Sequence, residues 1–278
     1  MNNTKYSVLM SIYHKEKLDF FIESVESMLR QTIKPDEIVI VKDGPLTPEL
    51  DQAINKYENQ YSELFTIVPL EKNIGLGLAL NEGLKKCRND LVARMDTDDI
   101  SLENRCELQL KEFDENPDLC IVGTWTNEFF DEPSNIVTSR IVPEKHEDIM
   151  KFSRRRSPFN HPTVMYKKST VLGCGGYQDV LRKEDIDLFI RMLHNGCLSM
   201  NIQQPLLLFR SNEDNYKRRK TWVNCKSYIS VIYRFWKMGY SSTMDLIVVV
   251  IGQMVMFLSP VWLLRILSDK LLRKRHID

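Results

Sequence analysis

Four apolar runs of strand length, separated by segments of helical periodicity, fill the first 95 residues and leave few architectures open to this chain. Ser7–Ile12 is the first run, and after it Leu18, Phe21, Ile22, Val25, Met28 and Leu29 recur at helical spacing. Glu37–Val41, following Pro35, predicts a second strand. Thr47-Pro48-Glu49 predicts a helix start, with threonine as cap and proline at the first helical position. Phe65–Val68, a helix from Leu78 to Lys86 and the run Leu91–Met95 complete the series. Strands that alternate with helices pair in parallel, because each helical crossover brings the chain back in the same direction. The expected fold class is therefore α/β, with a doubly wound sheet in the N-terminal half.

Sheets of this kind bind ligands at the carboxyl ends of their strands. Ser11-Ile12-Tyr13, Asp43, Asn73 and the run Asp96-Thr97-Asp98-Asp99 all fall at such ends. Three carboxylates within four residues repel one another unless a cation lies between them. Hard divalent ions choose carboxylate oxygens and keep positions open for water or phosphate. On extended backbone, Asp96 and Asp98 project to one side and Asp99 to the other. The run predicts a metal-diphosphate site at a strand end. Two other readings of the same residues stay open: an acidic turn that caps the next helix, and the nucleophile pair of a magnesium-dependent phosphohydrolase. The phosphohydrolase motif normally closes the first strand of its domain, whereas here it follows several strands and helices. An EF-hand is disfavoured, since no glycine occupies the sixth position of the loop.

With 278 residues and 43% hydrophobic content, the chain can bury a sizeable core without covalent staples. None of the six cysteines forms a Cys-x-x-Cys pair, and no histidine stands at zinc spacing from them. Reduced thiols are expected, with no zinc site. Met1–Tyr13 lacks a basic segment followed by a long apolar core, so no secretory leader is expected. The formal net charge of zero conceals an asymmetry. From residue 215 onward there are twelve Lys/Arg against three Asp/Glu, so an acidic body carries a basic tail.

Basic patches attract nucleic acid and anionic lipid alike, and the apolar content of the tail decides for lipid and against nucleic acid. Leu246–Leu264 comprises nineteen residues without a formal charge, close to the length that crosses a bilayer. Gln253, Ser259 and Pro260 interrupt it. Basic residues flank both ends, Lys217–Lys220 before and Arg273–Arg275 after, which favours a re-entrant or in-plane segment over a crossing. Upstream, Trp222, Tyr228, Ile229, Ile232, Tyr233, Phe235 and Trp236 combine with Lys226, Arg234 and Lys237 in a pattern suited to a helix at the lipid headgroup level. A core-packed terminal helix with a solvated basic face is the other reading.

The ordered motifs Ser7–Tyr13, Val41-Lys42-Asp43-Gly44, Asn73-Ile74-Gly75 with Asn81, Ala93–Asp99 and Glu184–Leu188 resemble the inverting glycosyltransferases of family 2. The opening strand and the Lys42–Thr47 segment further resemble the amylovoran and O-antigen branch of bacterial polysaccharide transferases. The resemblance runs from Ser7 to Arg210. It implies a GT-A domain over 1–214, with a nucleotide-binding half to about residue 123 and a mixed acceptor-binding half over 124–214. Residues 215–278 would form basic, apolar membrane-associating helices.

The resemblance also assigns roles. Tyr13 and Asp43 match residues that hold uridine, Arg94 one beside the diphosphate, and Asp96 and Asp98 the donor and metal positions, for Mn²⁺ or Mg²⁺. Asp185 matches the base that takes the acceptor hydroxyl's proton. Adjacent helical residues point about 100° apart, so Glu184 and Asp185 cannot both face the reacting atoms. Acids in a first helical turn are also stabilised by the helix dipole with no catalytic duty. Glu184, Asp99 and His161 are candidate acceptor-side or accessory residues, and a structural loop histidine is the alternative for His161. Ser11 stands where many members have proline, and Lys42 replaces the first of a common Asp-Asp pair.

The implied partners are a UDP-sugar donor, an undecaprenyl-diphosphate-linked saccharide of the GlcNAc type, and inner-leaflet lipids at the cytoplasmic face of the bacterial inner membrane. UDP-glucose is the favoured donor, with UDP-galactose and a UDP-N-acetylhexosamine next. The Gln-x-x-Arg-Trp signature of processive synthases is absent, so one sugar per encounter is expected. A membrane-bound nucleotide-binding subunit without catalysis is the non-enzymatic alternative.

Overall fold

The computed structural model describes residues 4–211 and 220–259. Strands β1 (Tyr6–Ile12), β2 (Glu37–Lys42), β3 (Phe65–Pro69) and β4 (Leu91–Arg94) pair in parallel in the order β3-β2-β1-β4. Helices cover both faces, which is why these strands read as unbroken apolar runs. Phe21 and Val25 of α1 (Leu18–Leu29), Leu50 and Ile54 of α2 (Pro48–Gln60) and Leu110 of α4 (Arg105–Glu115) build the core on one side. Leu80 and Leu84 of α3 (Leu76–Lys86) join Leu188 and Phe189 of α7 (Glu184–His194) on the other, with contributions from α5 (His146–Ser153) and α6 (Lys168–Gly173). Thr47 caps α2 by accepting from the Leu50 amide, as its sequence predicts.

The second half extends the same sheet. β8 (Met165–Lys167) lies antiparallel between β4 and β6 (Leu119–Phe129). β6 pairs in parallel with β9 (Leu198–Arg210), whose far edge carries the short β5 (Ile100–Ser101), and β7 (Ile136–Arg140) hangs on the end of β6. The nine strands of the described residues therefore form one mixed sheet, and the two halves expected on either side of residue 123 meet within β6.

Two helices, α8 (Trp222–Lys237) and α9 (Thr243–Leu258), pack as a hairpin on α7. Val231, Ile232 and Phe235 of α8 and Val249 of α9 meet Ile186 and Ile190 of α7. The expectation that Ile232 and Phe235 face lipid is thereby corrected: α7 offers an apolar stripe, and these two side chains are buried against it. Charge completes the docking. The buried Asp187 pairs with Arg191 at 2.8 Å and with Arg234 of α8, and Arg155 reaches Asp245 of α9 at 2.5 Å. Buried carboxylates stay charged only when paired in this way. Among the described residues no helix is long and apolar enough to cross a membrane. The Leu246–Leu264 stretch is helical to Leu258, and its part from residue 260 onward lies outside the described residues, as do the basic residues 217–219.

Candidate active site

Four strand ends converge on a cavity of about 750 Å³ at the carboxyl edge of the parallel strands. Ser11 and Tyr13 line it from the end of β1, Asp43 from the end of β2, Asn73 from the β3–α3 loop, and Asp96 and Asp98 from the turn after β4. Tyr13 stays 38% exposed, so its ring is available to a ligand. Lys15, Lys17 and Phe20 also line it.

Asp43 is buried, and both its oxygens are engaged: Oδ1 accepts from the Ile74 amide at 2.7 Å and Oδ2 from the Gly75 amide at 3.2 Å. Beyond lining the cavity, it therefore ties the β2 end to the Asn73-Ile74-Gly75 loop. Lys42 does not join the cavity lining and instead pairs with Asp51 of α2 at 2.5 Å. The tie forces the chain to turn sharply at Gly44. There φ is +85°, and an added Cβ would lie 2.6 Å from the Asn73 nitrogen. Gly44→Ala should cost about 2–4 kcal/mol of stability, from left-handed backbone strain together with overpacking. It should also weaken at least tenfold the UDP binding that the family resemblance implies, because the Asp43 clamp shifts. Denaturant unfolding and calorimetric titration with UDP check both.

The acidic run is held by elements distant in sequence. The chain turns at Thr97-Asp98, and carboxylate oxygens of Asp96, Asp98 and Asp99 all lie within 4.8 Å of one another. Extended spacing predicts Asp99 on the opposite side; the turn brings it back. Arg210, at the end of β9, donates its amide to Asp99 Oδ1 and its Nε to the Asp98 carbonyl, both at 2.9 Å. Its guanidinium is sandwiched between the rings of Phe20 and Phe129, 3.9 and 4.7 Å from their centroids, and also pairs with Glu23. Ser24 donates to the Asp96 carbonyl and Thr97 to Glu16. Arg210 escaped the sequence reading; its only signal is a lone cation closing an apolar run.

Electrostatics leave this loop in want of a cation. Burial, then the neighbouring Asp96 and Glu16, pushes the Asp98 carboxyl up to about 7. Burial and Asp98 hold Asp99 well above the usual carboxylate range. Asp99 Oδ2 is buried with no hydrogen-bond partner among the described residues. Three converging carboxylates with an unsatisfied oxygen fit a hard divalent ion such as Mn²⁺ or Mg²⁺.

Behind them sits Arg94, wholly buried, with Nη2 2.6 Å from Asp96 Oδ1 and with no hydrogen-bond partner for Nε or Nη1 among the described residues. Burial disfavours its charge, but Asp96 and the tyrosines near it outweigh that cost. Its field reaches His161, whose imidazole lies 2.8 Å from the Tyr177 hydroxyl and is held well below its ordinary pKa by burial and by Arg94. His161 is thus a neutral partner of Tyr177. Glu184 packs over Gly77, where an added Cβ would approach its own Cβ to 2.9 Å. Burial and then Asp185 raise its carboxyl to about 7. Asp185, one residue on, acts electrostatically on both the Tyr177 and Tyr228 hydroxyls. The cavity thus gathers Tyr13, Asp43, Asp96 and Asp98. Arg94, His161, Glu184 and Asp185 form a second group beside it around Tyr177, off the cavity wall.

A nucleotide-sized cavity over an acidic loop, at the carboxyl edge of a parallel sheet, is the arrangement of an enzyme that handles phosphorylated donors. Residues 7–187 match the model of Glycosyl transferase family 2, and the chain belongs to that family and is a glycosyltransferase. It is 38% identical over 271 residues, 97% of each chain, to the UDP-Gal:alpha-D-GlcNAc-diphosphoundecaprenol beta-1,3-galactosyltransferase of Escherichia coli. It is 39% identical over 229 residues, 82% of this chain and 84% of the relative, to the amylovoran biosynthesis glycosyltransferase AmsE of Erwinia amylovora. Among solved structures, the mannosyltransferase PcManGT from Pyrobaculum calidifontis, in complex with GDP-Man and Mn²⁺, superposes with a TM-score of 0.63 at 14% identity, covering 94% of this chain and 72% of that one. S. aureus TarS 1–349 in complex with UDP-GlcNAc gives 0.59 at 15% identity, covering 91% and 82%. These structural likenesses establish a GT-A-like fold.

Proposed function

We propose that this enzyme transfers galactose from UDP-galactose to N-acetylglucosamine carried on undecaprenyl diphosphate, forming a β-1,3 linkage during O-antigen or exopolysaccharide assembly. The observation that carries the reading is the 38% identity over 97% of both chains with the Escherichia coli galactosyltransferase. UDP-galactose accordingly replaces UDP-glucose as the expected donor. The two differ in the orientation of one hydroxyl, which a few pocket contacts read.

In this reading Tyr13 offers its ring to the uracil, and Asp43 keeps the Asn73-Ile74-Gly75 loop against the nucleoside. Asp96, Asp98 and Asp99 would hold a divalent ion, which would supply positive charge to the departing UDP. Arg94 braces Asp96 from behind and adds its own positive field. Asp185 takes the proton from the acceptor hydroxyl as that oxygen bonds to the sugar's anomeric carbon and the bond to UDP breaks. The displacement is single, so an α-linked donor gives a β-glycoside and no covalent enzyme nucleophile is required.

Incubating the full chain with UDP-galactose, UDP-glucose and UDP-GlcNAc in turn, with a synthetic GlcNAc-diphosphate lipid acceptor, tests this directly. NMR is expected to show a β-1,3-galactosyl product. Faster transfer from another donor would overturn the galactose assignment. Free phosphate without glycosylated lipid would instead favour the phosphohydrolase alternative.

The lipid acceptor also bears on where the enzyme works. Along α9, Met244, Ile247, Val248, Ile251, Val255 and Leu258 are all exposed, at three- and four-residue spacing on one helical face. We infer that this face lies in the headgroup region of the cytoplasmic leaflet, with the surplus of Lys/Arg in the tail drawn to anionic lipid. Ile251→Asp should weaken binding to phosphatidylglycerol-containing vesicles at least tenfold, since it buries a charge in place of an apolar side chain. Cosedimentation measures this, and unaltered binding would count against the face.

A further inference from the structure

Several arginines of this region have a carboxylate partner: Arg155 has Asp245, Arg191 and Arg234 share Asp187, and Arg210 has Glu23. Arg156 differs. It is half-buried, and its guanidinium stands 5.1 Å from the centroid of the Phe152 ring and makes no ion pair or hydrogen bond among the described residues. Burial lowers its pKa, and the neighbour that counters this is the phenol of Tyr228. A partly desolvated cation without a carboxylate beside it is a candidate site for an anion from outside.

Tyr228 marks the place. Its hydroxyl donates to the Arg155 carbonyl at 2.9 Å, and the Lys183 ammonium stands 5.5 Å from its ring centroid. Arg140, at the end of β7, also acts on that hydroxyl electrostatically, as does Asp185 from the first turn of α7. Three cations from three segments of the chain thus share one neighbourhood with the candidate base. They stand apart from the donor cavity, whose lining includes none of them.

We infer that Arg156, with Arg140 and Lys183 around Tyr228, forms a subsite for the diphosphate of the lipid-linked acceptor. This rests on the acceptor proposed above and adds where its charge is held. A guanidinium recognises phosphate oxygens bidentately, and an ammonium adds a point charge. The arrangement is ordered as the reaction requires. The sugar lies toward Asp185, the diphosphate lies on the cations, and Tyr228 belongs to α8, which leads into the exposed apolar face of α9 where the lipid tail leaves. Two negative charges on the acceptor thereby become a ruler that sets the sugar against the base.

The test compares an undecyl GlcNAc-α-diphosphate with the neutral undecyl GlcNAc glycoside, each titrated into the full chain with UDP and Mn²⁺ present. The wild type is expected to bind the diphosphate at least tenfold more tightly. Arg156→Ala should remove most of that preference, and Arg156→Lys should restore part of it. UDP affinity within twofold of wild type certifies that each variant is folded. A preference absent from the wild type, or intact in folded Arg156→Ala, overturns the subsite. Product formation is read on the same two acceptors. Diphosphate preference without galactosylated product would refute the proposed function and leave the subsite standing, whereas galactosylation with no diphosphate preference would do the reverse.

Discussion

Asp98→Asn is expected to abolish transfer while raising the thermal midpoint of the metal-free protein at pH 8. The two effects share one cause. Asp98 is half-buried beside Asp96 and Glu16, and its carboxyl is pushed from an ordinary 3.8 up to about 7. In the unfolded chain the same group titrates near 3.8. Between those values the native state holds a proton that the unfolded state has released. Stability therefore falls as pH rises from about 4 to about 7 and stays depressed above that. An amide at position 98 removes this penalty. Allowing for partial exposure, the gain at pH 8 is about 1–3 kcal/mol, or several degrees in Tm. By pH 4 most of it is gone, because the native carboxyl is protonated and the unfolded one, close to its pKa of 3.8, is only partly ionised. The same substitution removes a ligand from the acidic loop, so Mn²⁺-dependent UDP binding is lost and transfer falls by about 10³-fold or more. In the wild type, apparent Mn²⁺ affinity should climb with pH up to about 7 and then level, because the ion displaces a proton below that point. Thermal melts at pH 4 and pH 8 with chelator, and calorimetry of UDP with Mn²⁺, give every quantity needed. An Asn variant that melts lower at pH 8, or still binds UDP in a metal-dependent way, refutes this account.

Such a trade of stability for charge is legible in the sequence only in part. Asp96, Asp98 and Asp99 announce a cation site through their crowding, but the residues that hold the loop do not announce themselves. Arg210 lies more than a hundred positions away, and Ser24 reads as one more polar residue on an amphipathic helix. Asp43 was visible as a strand-end acid, whereas its clamp on the Ile74 and Gly75 amides depends on two loops meeting. The parallel strands were easy to read because burial on both faces leaves them uniformly apolar. β9 was hidden for the opposite reason: Gln203, Gln204 and Pro205 interrupt it, and its register with β6 shifts beside Pro205. Ile232 and Phe235 looked lipid-facing because a core stripe and a membrane stripe share one periodicity. Only the docking surface on α7 separates them. Arg156 sits within Arg154-Arg155-Arg156, a run that reads as solvated charge, and its isolation from carboxylates appears only in three dimensions.

Asp185→Asn is expected to remove the most activity for the least structural change. α7 is anchored by its other residues: Ile186 and Ile190 pack on α8, Leu188 and Phe189 face the core, and Asp187 binds Arg191 and Arg234. Asp185 is half-buried, and its carboxylate makes no hydrogen bond or ion pair among the described residues. An isosteric amide therefore forfeits only its share of the helix-dipole interaction, about 0.3–1 kcal/mol. That share bounds the structural reading of this residue: if the carboxylate serves the helix alone, activity should follow the small change in stability. If it takes the acceptor proton, kcat should fall by about 10²–10⁴-fold. UDP and Mn²⁺ affinities should not move, because their residues lie at the ends of β1, β2 and β4. Removing the Asp185 charge should also lower the Glu184 carboxyl, which that charge helps to raise. The Glu184 titration, followed by NMR, thus reports that the two carboxyls stay within electrostatic reach of one another in the folded enzyme. A kcat within tenfold of wild type, or a loss matched by an equal fall in UDP affinity, takes Asp185 out of the proton transfer.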